Sequence, residues 1–172
     1  MHKLKLAIIG IVGVPANYGG FETLVEYLLD DLPKLYDITI YCQAVDDSEK
    51  LDRYKGAKLE YINLKANGIQ SVIYDSVSLW KSINGFDYIL SLGVSGSLAI
   101  PLLKPFTKAK IISHIDGLEW KRDKWGAFAK RFLKFSESIA VKYSDGIISD
   151  NKHIYNYVHE EYNKESYLIA YG

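Results

Sequence analysis

The sequence is short of several things, and each shortage closes a class of explanation. Its one cysteine, Cys42, cannot form an internal disulfide, so the chain suits a reducing compartment. At 172 residues it needs no covalent staple, because a chain of this length buries roughly two-thirds of its unfolded surface and fits one domain. Charge of one sign is not in excess. Lysine plus arginine and aspartate plus glutamate each number 21, which argues against nucleic acid as a partner, since such binding normally shows a basic surplus. Long hydrophobic runs are missing as well. The longest uncharged stretch, residues 88–103, contains glycine, serine and proline and falls short of the roughly 20 apolar residues of a membrane helix. The opening residues lack a secretory h-region and a small-residue cleavage site. The expected location is cytoplasmic, with the inner face of the membrane as one setting.

Signature motifs are also absent. There is no G-x-x-x-x-G-K-[ST], which excludes a P-loop NTPase. Gly10-x-x-Gly13 does not satisfy G-x-G-x-x-G, and the second strand ends in Cys42-Gln43 rather than in an acid for a ribose hydroxyl, which argues against a nicotinamide dehydrogenase. The four histidines form no H-E-x-x-H, and no D-x-D triplet occurs. No metal and no cofactor are expected.

What is present is alternation. Short β-rich runs at 4–11, 37–42, 58–64, 88–92, 110–115, 146–149 and 167–170 are separated by amphipathic stretches at 20–32, 71–83, 127–143 and 152–162. A short helix broken near Pro101 and Pro105 follows residues 93–96. The first run, LKLAIIGI, is nearly all apolar, as in a strand buried on both faces. In the helix after Gly19-Gly20, Phe21, Leu24, Val25, Leu28 and Leu29 make one face, and Pro33 stops it. Such a pattern predicts an α/β, doubly wound, Rossmann-like parallel sheet of about seven strands with right-handed crossovers and helices on both faces. No internal repeat, linker or domain boundary interrupts it.

In open α/β sheets ligands bind beyond the carboxyl ends of the strands, near the switch point. That rule selects the loops at 13–20, 93–96, 116–124 and 150–151, which contain Ser95 and Asn151. The first runs Gly13-Val14-Pro15-Ala16-Asn17-Tyr18-Gly19-Gly20 into a helix amino terminus, where free amides favour an anion; a plain strand–helix turn is the other reading. The third, with the strand end before it, reads Ser113-His114-Ile115-Asp116-Gly117-Leu118-Glu119-Trp120-Lys121-Arg122-Asp123-Lys124-Trp125. Asp116 or Glu119 could take a proton from an acceptor hydroxyl, Arg122 and Lys124 could hold phosphate oxygens, and Trp120 offers a flat face to a sugar ring. The other reading is a solvated loop whose tryptophans pack as local core. Over residues 121–134 six bases stand against the single acid Asp123, interleaved with Trp125, Phe128 and Phe132. That mixture suits an anionic membrane surface or a lipid-phosphate acceptor. Alternatively Phe128, Phe132 and Phe135 form the inward face of an amphipathic helix.

The runs Val14-Pro15-Ala16-Asn17-Tyr18-Gly19-Gly20-Phe21-Glu22-Thr23 and Asp116-Gly117-Leu118-Glu119-Trp120-Lys121-Arg122, with Lys124-Trp125, resemble bacterial rhamnosyltransferase-like glycosyltransferases. These are GT-B enzymes, similar to the retaining family-four group, that build cell-surface polysaccharides. The resemblance covers essentially the whole chain. It implies transfer of a sugar, rhamnose by the family label, from a nucleotide-sugar donor to a saccharide or lipid-linked acceptor. By the same resemblance Gly19 and Gly20 approach the donor diphosphate and Asp116 lies at the reacting sugar. Tyr18, Ser95, His114, Trp120, Arg122, Lys124 and Asn151 are the expected acceptor and substrate contacts. Family members carry a second, donor-binding domain, often with two glutamates eight positions apart. No glutamate pair here has that spacing, so residues 1–172 read as the acceptor-side half, inactive alone. A stand-alone nucleotide or phosphosugar-binding module, or a membrane-recruitment domain without catalysis, are the rival readings.

Overall fold

β1 (Leu4–Ile9) shows how the sequence pattern becomes a two-sided core. Alternate side chains point to opposite faces of a strand. Leu6 and Ile8 join one apolar cluster with Leu24, Val25 and Leu29. Ala7 and Ile9 join another with Tyr74, Leu79 and Ile100. The computed structural model describes residues 3–17, 19–68, 70–123 and 125–170. Tyr18 and Lys124, two of the expected substrate contacts, lie outside the described residues.

The elements follow in the order β1, α1 (Gly20–Leu28), β2 (Tyr36–Gln43), β3 (Arg53–Tyr54), β4 (Ala57–Ile62), α2 (Gln70–Ser82) and β5 (Tyr88–Leu92). Then come α3 (Ile100–Leu103), β6 (Lys110–Ile115), α4 (Ala127–Tyr143), β7 (Gly146–Ser149), α5 (Lys152–Tyr162) and β8 (Tyr167–Leu168). One sheet of eight strands runs β3-β4-β2-β1-β5-β6-β7-β8. All neighbours are parallel except the β3–β4 pair. This is the doubly wound, Rossmann-like arrangement expected from the alternation. α1 covers one face. The clusters that contain α2 to α5 lie on the other, since Ile111 and Ile115 share one side of β6. The order reverses between β1 and β5, which makes the exits of those two strands the switch point.

Three details differ from the sequence expectation. The strand count is eight rather than seven. The extra strand, β3, is a two-residue piece returned onto β4 by Lys55-Gly56, both at positive φ, which is the backbone of a tight hairpin. Nothing in two residues sets up a periodicity to read. α1 stops at Leu28 rather than running to residue 32. Asp30 and Asp31 would put negative charge at the negative end of the helix dipole, and the chain tightens there through i→i+3 bonds. Pro101 and Pro105 each stand second in a short helical turn instead of breaking one, because an N–H in the first turn has no partner within the helix to lose.

Candidate active site

The cleft forms where the exits of β1, β5 and β6 rise beside α2 and α4. Its base is the contact between the first two exits. Gly10 has φ +90°, and a Cβ there would stand 2.1 Å from the Leu92 carbonyl oxygen. Only glycine lets the strands leave the sheet so close together. The loop that follows is pinned by α1. Glu22 accepts the Val12 N–H at 2.8 Å, and Glu26 accepts the Ala16 N–H at 2.9 Å and the Tyr54 hydroxyl at 2.8 Å. β2 adds a third tie, with Gln43 N–H donating to the Val12 carbonyl at 2.7 Å.

α1 begins at Gly20 with Gly19 as an extended N-cap that has no side-chain bond. Its first turn supplies its own anion. Glu22 is only 4% exposed, and its Oε2 lies 3.2 Å from the point where a Cβ on Gly19 would sit. A carboxylate therefore already occupies part of the space at the positive end of the helix.

The β5 exit is held from two sides. From α4, the Ser136 hydroxyl donates to the Val94 carbonyl. From α2, the Asp75 carboxylate accepts the Ser95 hydroxyl. The fit at Gly96 is close, since a Cβ there would meet the Asp75 Cβ at 2.3 Å. Asp75 is 7% exposed, and burial pushes its carboxyl up to about 7, against a smaller lowering by Ser95.

The β6 exit brings Asp116, Glu119 and Arg122 to the opposite wall. Asp116 is reached by solvent, yet the protein packed around it, with the carboxylates of Asp150 and Glu119, holds its carboxyl above the usual range, against a smaller pull from Arg122. Glu119 binds its own neighbours. It accepts Arg122 Nη1 at 2.8 Å and the Trp125 indole N–H at 3.0 Å. The Arg122 guanidinium is thus already engaged by a carboxylate.

Together these walls enclose a cleft of about 670 Å³ at the carboxyl ends of the strands. Gly19, Gly20, Ser95, Asp116, Glu119 and Arg122 all line it. Three of the expected contacts sit elsewhere. His114 lies beneath, in β6, its ring tilted against Phe21 at 5.3 Å, and burial lowers its imidazole to about 4, so it is neutral. Trp120 turns from the cleft and is covered by two cations, Lys134 at 4.9 Å and Lys121 at 5.2 Å. Asn151 caps α5, its side chain accepting the Ile154 N–H at 2.9 Å. Trp125 lines the wall instead of Trp120.

Glu22 and Asp75 were not singled out from the sequence. For Asp75 the signal is its helical register with Ser78, Leu79 and Ser82, which places it on the buried face of α2. The inward-facing reading does not hold for Phe128 and Phe135, while Phe132 is half-buried and lines the cleft. Phe128 is 85% exposed and Phe135 57% exposed, while Leu133, Ser136, Glu137, Ala140 and Val141 form the buried face of α4. Polar Ser136 and Glu137 face inward because each has a hydrogen-bond partner there, the Val94 carbonyl for Ser136 and two tyrosine hydroxyls for Glu137, a pairing that hydrophobic periodicity does not register. Among the described residues no helix is long and apolar enough to cross a membrane.

Residues 3–172 match the family described as Domain of unknown function (DUF1972). No curated protein sequence matches the chain. Among solved structures it is similar to sucrose-phosphate synthase from Thermosynechococcus elongatus, with a TM-score of 0.74 and 13% identity over 99% of this chain and 48% of that one. It is also similar to a candidate UDP-N-acetylglucosamine 2-epimerase from Listeria monocytogenes, with a TM-score of 0.56 and 14% identity over 95% of this chain and 44% of that one. The chain thus spans about half the length of each. At these identities the likeness establishes the fold alone, a Rossmann-like α/β domain.

Proposed function

Since the chain belongs to the DUF1972 family, whose match runs through every strand that builds the cleft, we propose that it is the acceptor-side half of a GT-B glycosyltransferase. The observation that carries this reading is the cleft itself: the glycine-rich β1 exit faces Asp116 across the switch point. In this reading a nucleotide-sugar donor enters from the side of Gly19 and Gly20, Asp116 stands at the reacting sugar, and a saccharide or lipid-linked acceptor occupies the cleft. No metal or cofactor takes part. The sugar is rhamnose and the product a cell-surface polysaccharide if the resemblance in the two loops extends to specificity.

The charges of the cleft support a division of labour between two domains. Glu22 already sits at the α1 amino terminus and Arg122 is already paired, so few groups here are open to a diphosphate. A second Rossmann-like domain would supply the nucleotide grip. Titration of UDP- and dTDP-sugars in a calorimeter is expected to give little heat with these 172 residues, and clear binding when a donor domain is joined to them. Tight binding to the short chain would favour a stand-alone nucleotide or phosphosugar module instead.

The same reading places the mouth of the cleft at a membrane surface on the cytoplasmic side. Phe128, Arg131 and Phe135 are exposed at i, i+3 and i+7 on α4, so two aromatics and a cation share one helical face. Replacing both phenylalanines with serine is expected to weaken binding to phosphatidylglycerol vesicles about thirtyfold, from the lost insertion of two partly buried rings. Thermal stability should be unchanged, because neither ring is in the core. Equal vesicle binding by the double variant would remove the membrane from this proposal.

A further inference from the structure

Asp75 and Ser95 form a polar pair of which the transferase reading above uses only Ser95, as one of its expected substrate contacts. Asp75 projects from α2 and Ser95 from the β5 exit, and both line the cleft between the glycine loop and the Asp116 wall. The pair is built, not incidental. Gly96 permits the approach of the β5 exit to Asp75, and Ser136 fixes the same exit from α4. Ser95 spends its one proton on Asp75, which leaves the oxygen of Ser95 able to accept and the carboxylate able to accept again.

The other charged groups around the cleft narrow what this pair would hold. Glu22 faces it from α1, and Asp116, Glu119 and Arg122 from the β6 exit. The α4 wall presents Phe128, Ala129, Phe132 and Leu133, and α2 itself adds Val72 and Ile73. Among the described lining residues, four carboxyl side chains stand against one guanidinium, and that guanidinium is bound to Glu119. An anion is disfavoured there by the field of the acids. Apolar walls with inward acceptors instead suit a neutral ring that has hydroxyl groups on its edge.

We propose that Asp75 and Ser95 are the hydroxyl-reading subsite of this cleft, gripping a neutral hexopyranoside through its hydroxyl protons. The proposal rests on the transferase reading only for the class of ligand. Ionised Asp75 accepts the hydroxyl protons, and protonated Asp75 has one acceptor fewer. Binding therefore favours the ionised form. With the free carboxyl at about 7, affinity is low below that pH, rises through it and levels off above. A hydrogen bond to a charged group supports a rise of about tenfold between about pH 6 and pH 8.

The test is titration of methyl gluco-, galacto- and mannopyranosides into the 15N- and 13C-labelled chain, followed by NMR at Ser95 and Asp75, with inorganic phosphate as the anionic control. The expected result is perturbation at both residues by at least one hexoside, the tenfold rise with pH, and a flat, weakened profile for Asp75→Asn. Ser95→Ala gives a second readout. Loss of the hydroxyl that stabilises the carboxylate moves the midpoint of the rise to higher pH, an effect that a merely structural role would not produce. A pH profile unchanged in Asp75→Asn, tighter binding of phosphate than of any hexoside, or no perturbation by any of the three would overturn the proposal. The transferase reading fails separately, through absence of nucleotide-sugar turnover once a donor domain is joined.

Discussion

Replacing Gly10 with alanine is expected to lower the stability of this domain by about 3 kcal/mol, and with it to distort the floor of the cleft. Two costs add. Backbone at φ +90° is unfavourable for a side-chain-bearing residue, by about 1–3 kcal/mol. The new methyl would also stand 2.1 Å from a backbone oxygen of β5, which cannot rotate away as a side-chain tip would. Separating β1 from β5 to relieve it costs about another 1–3 kcal/mol of packing. The entropy that alanine removes from the unfolded chain returns only about 0.4–1 kcal/mol. For a domain of this size the net loss corresponds to a fall in Tm of roughly 10 °C. Two further glycines separate the contributions. Gly85 has φ +87° with nothing near its Cβ position, so Gly85→Ala should show the dihedral cost alone. Gly96, at φ −89°, should show the steric cost alone, against Asp75. Urea midpoints at constant m-value measure all three, and a loss below about 1 kcal/mol for Gly10→Ala would contradict the contact with Leu92.

The second large effect is expected at Glu137, which lies outside the cleft but holds its wall in place. Glu137 is 1% exposed and accepts the hydroxyls of Tyr157 and Tyr162 at 2.5 Å each. Lys134 Nζ lies 3.5 Å from the same oxygen, donates to Tyr157, pairs with Glu161 at 2.8 Å, and stands over the rings of Trp120, Tyr157 and Tyr162 at 4.8–4.9 Å. This cluster ties the Asp116–Trp125 loop, through Trp120, to α4 and α5. Removing one partner of a buried ion pair typically costs about 3–5 kcal/mol. Glu137→Ala should fall near 3 kcal/mol, because Glu161 remains on Lys134 while two half-buried tyrosine hydroxyls lose their acceptor. Glu137→Gln keeps the shape and one acceptor and should cost about half as much. Near-ultraviolet circular dichroism should report looser packing of the tryptophan loop in Glu137→Ala. Unchanged spectra and stability would mean the cage is not what orders that loop.

How much of the site was legible beforehand follows from what kind of interaction makes each part. Loops at strand exits can be found from alternation alone, and that is enough to bring Gly19, Gly20, Ser95, Asp116, Glu119 and Arg122 to one end of the sheet. Trp120 and Asn151 belong to loops that the same rule selects, and His114 to the strand end just before one of them. His114 is still inside β6, with its ring against Phe21 of α1, while Asp116 has already left the sheet. Trp120 was drawn away by Lys134, fourteen positions further on and one helix over, a cation–π contact that no local pattern announces.

Sequence by itself determined the parallel α/β order, the strand exits that would carry ligands, and the exclusion of P-loop and nicotinamide chemistry. Those are properties of local periodicity and of short motifs, which act within a few residues. Tertiary structure decided which charges are spent internally. Glu22 binds Val12 and fills the helix terminus, Glu119 takes Arg122, and Asp75 becomes a buried acceptor beside Ser95. A carboxylate's role depends on burial and on partners drawn from distant segments, and only the folded chain brings those within about 3 Å of one another.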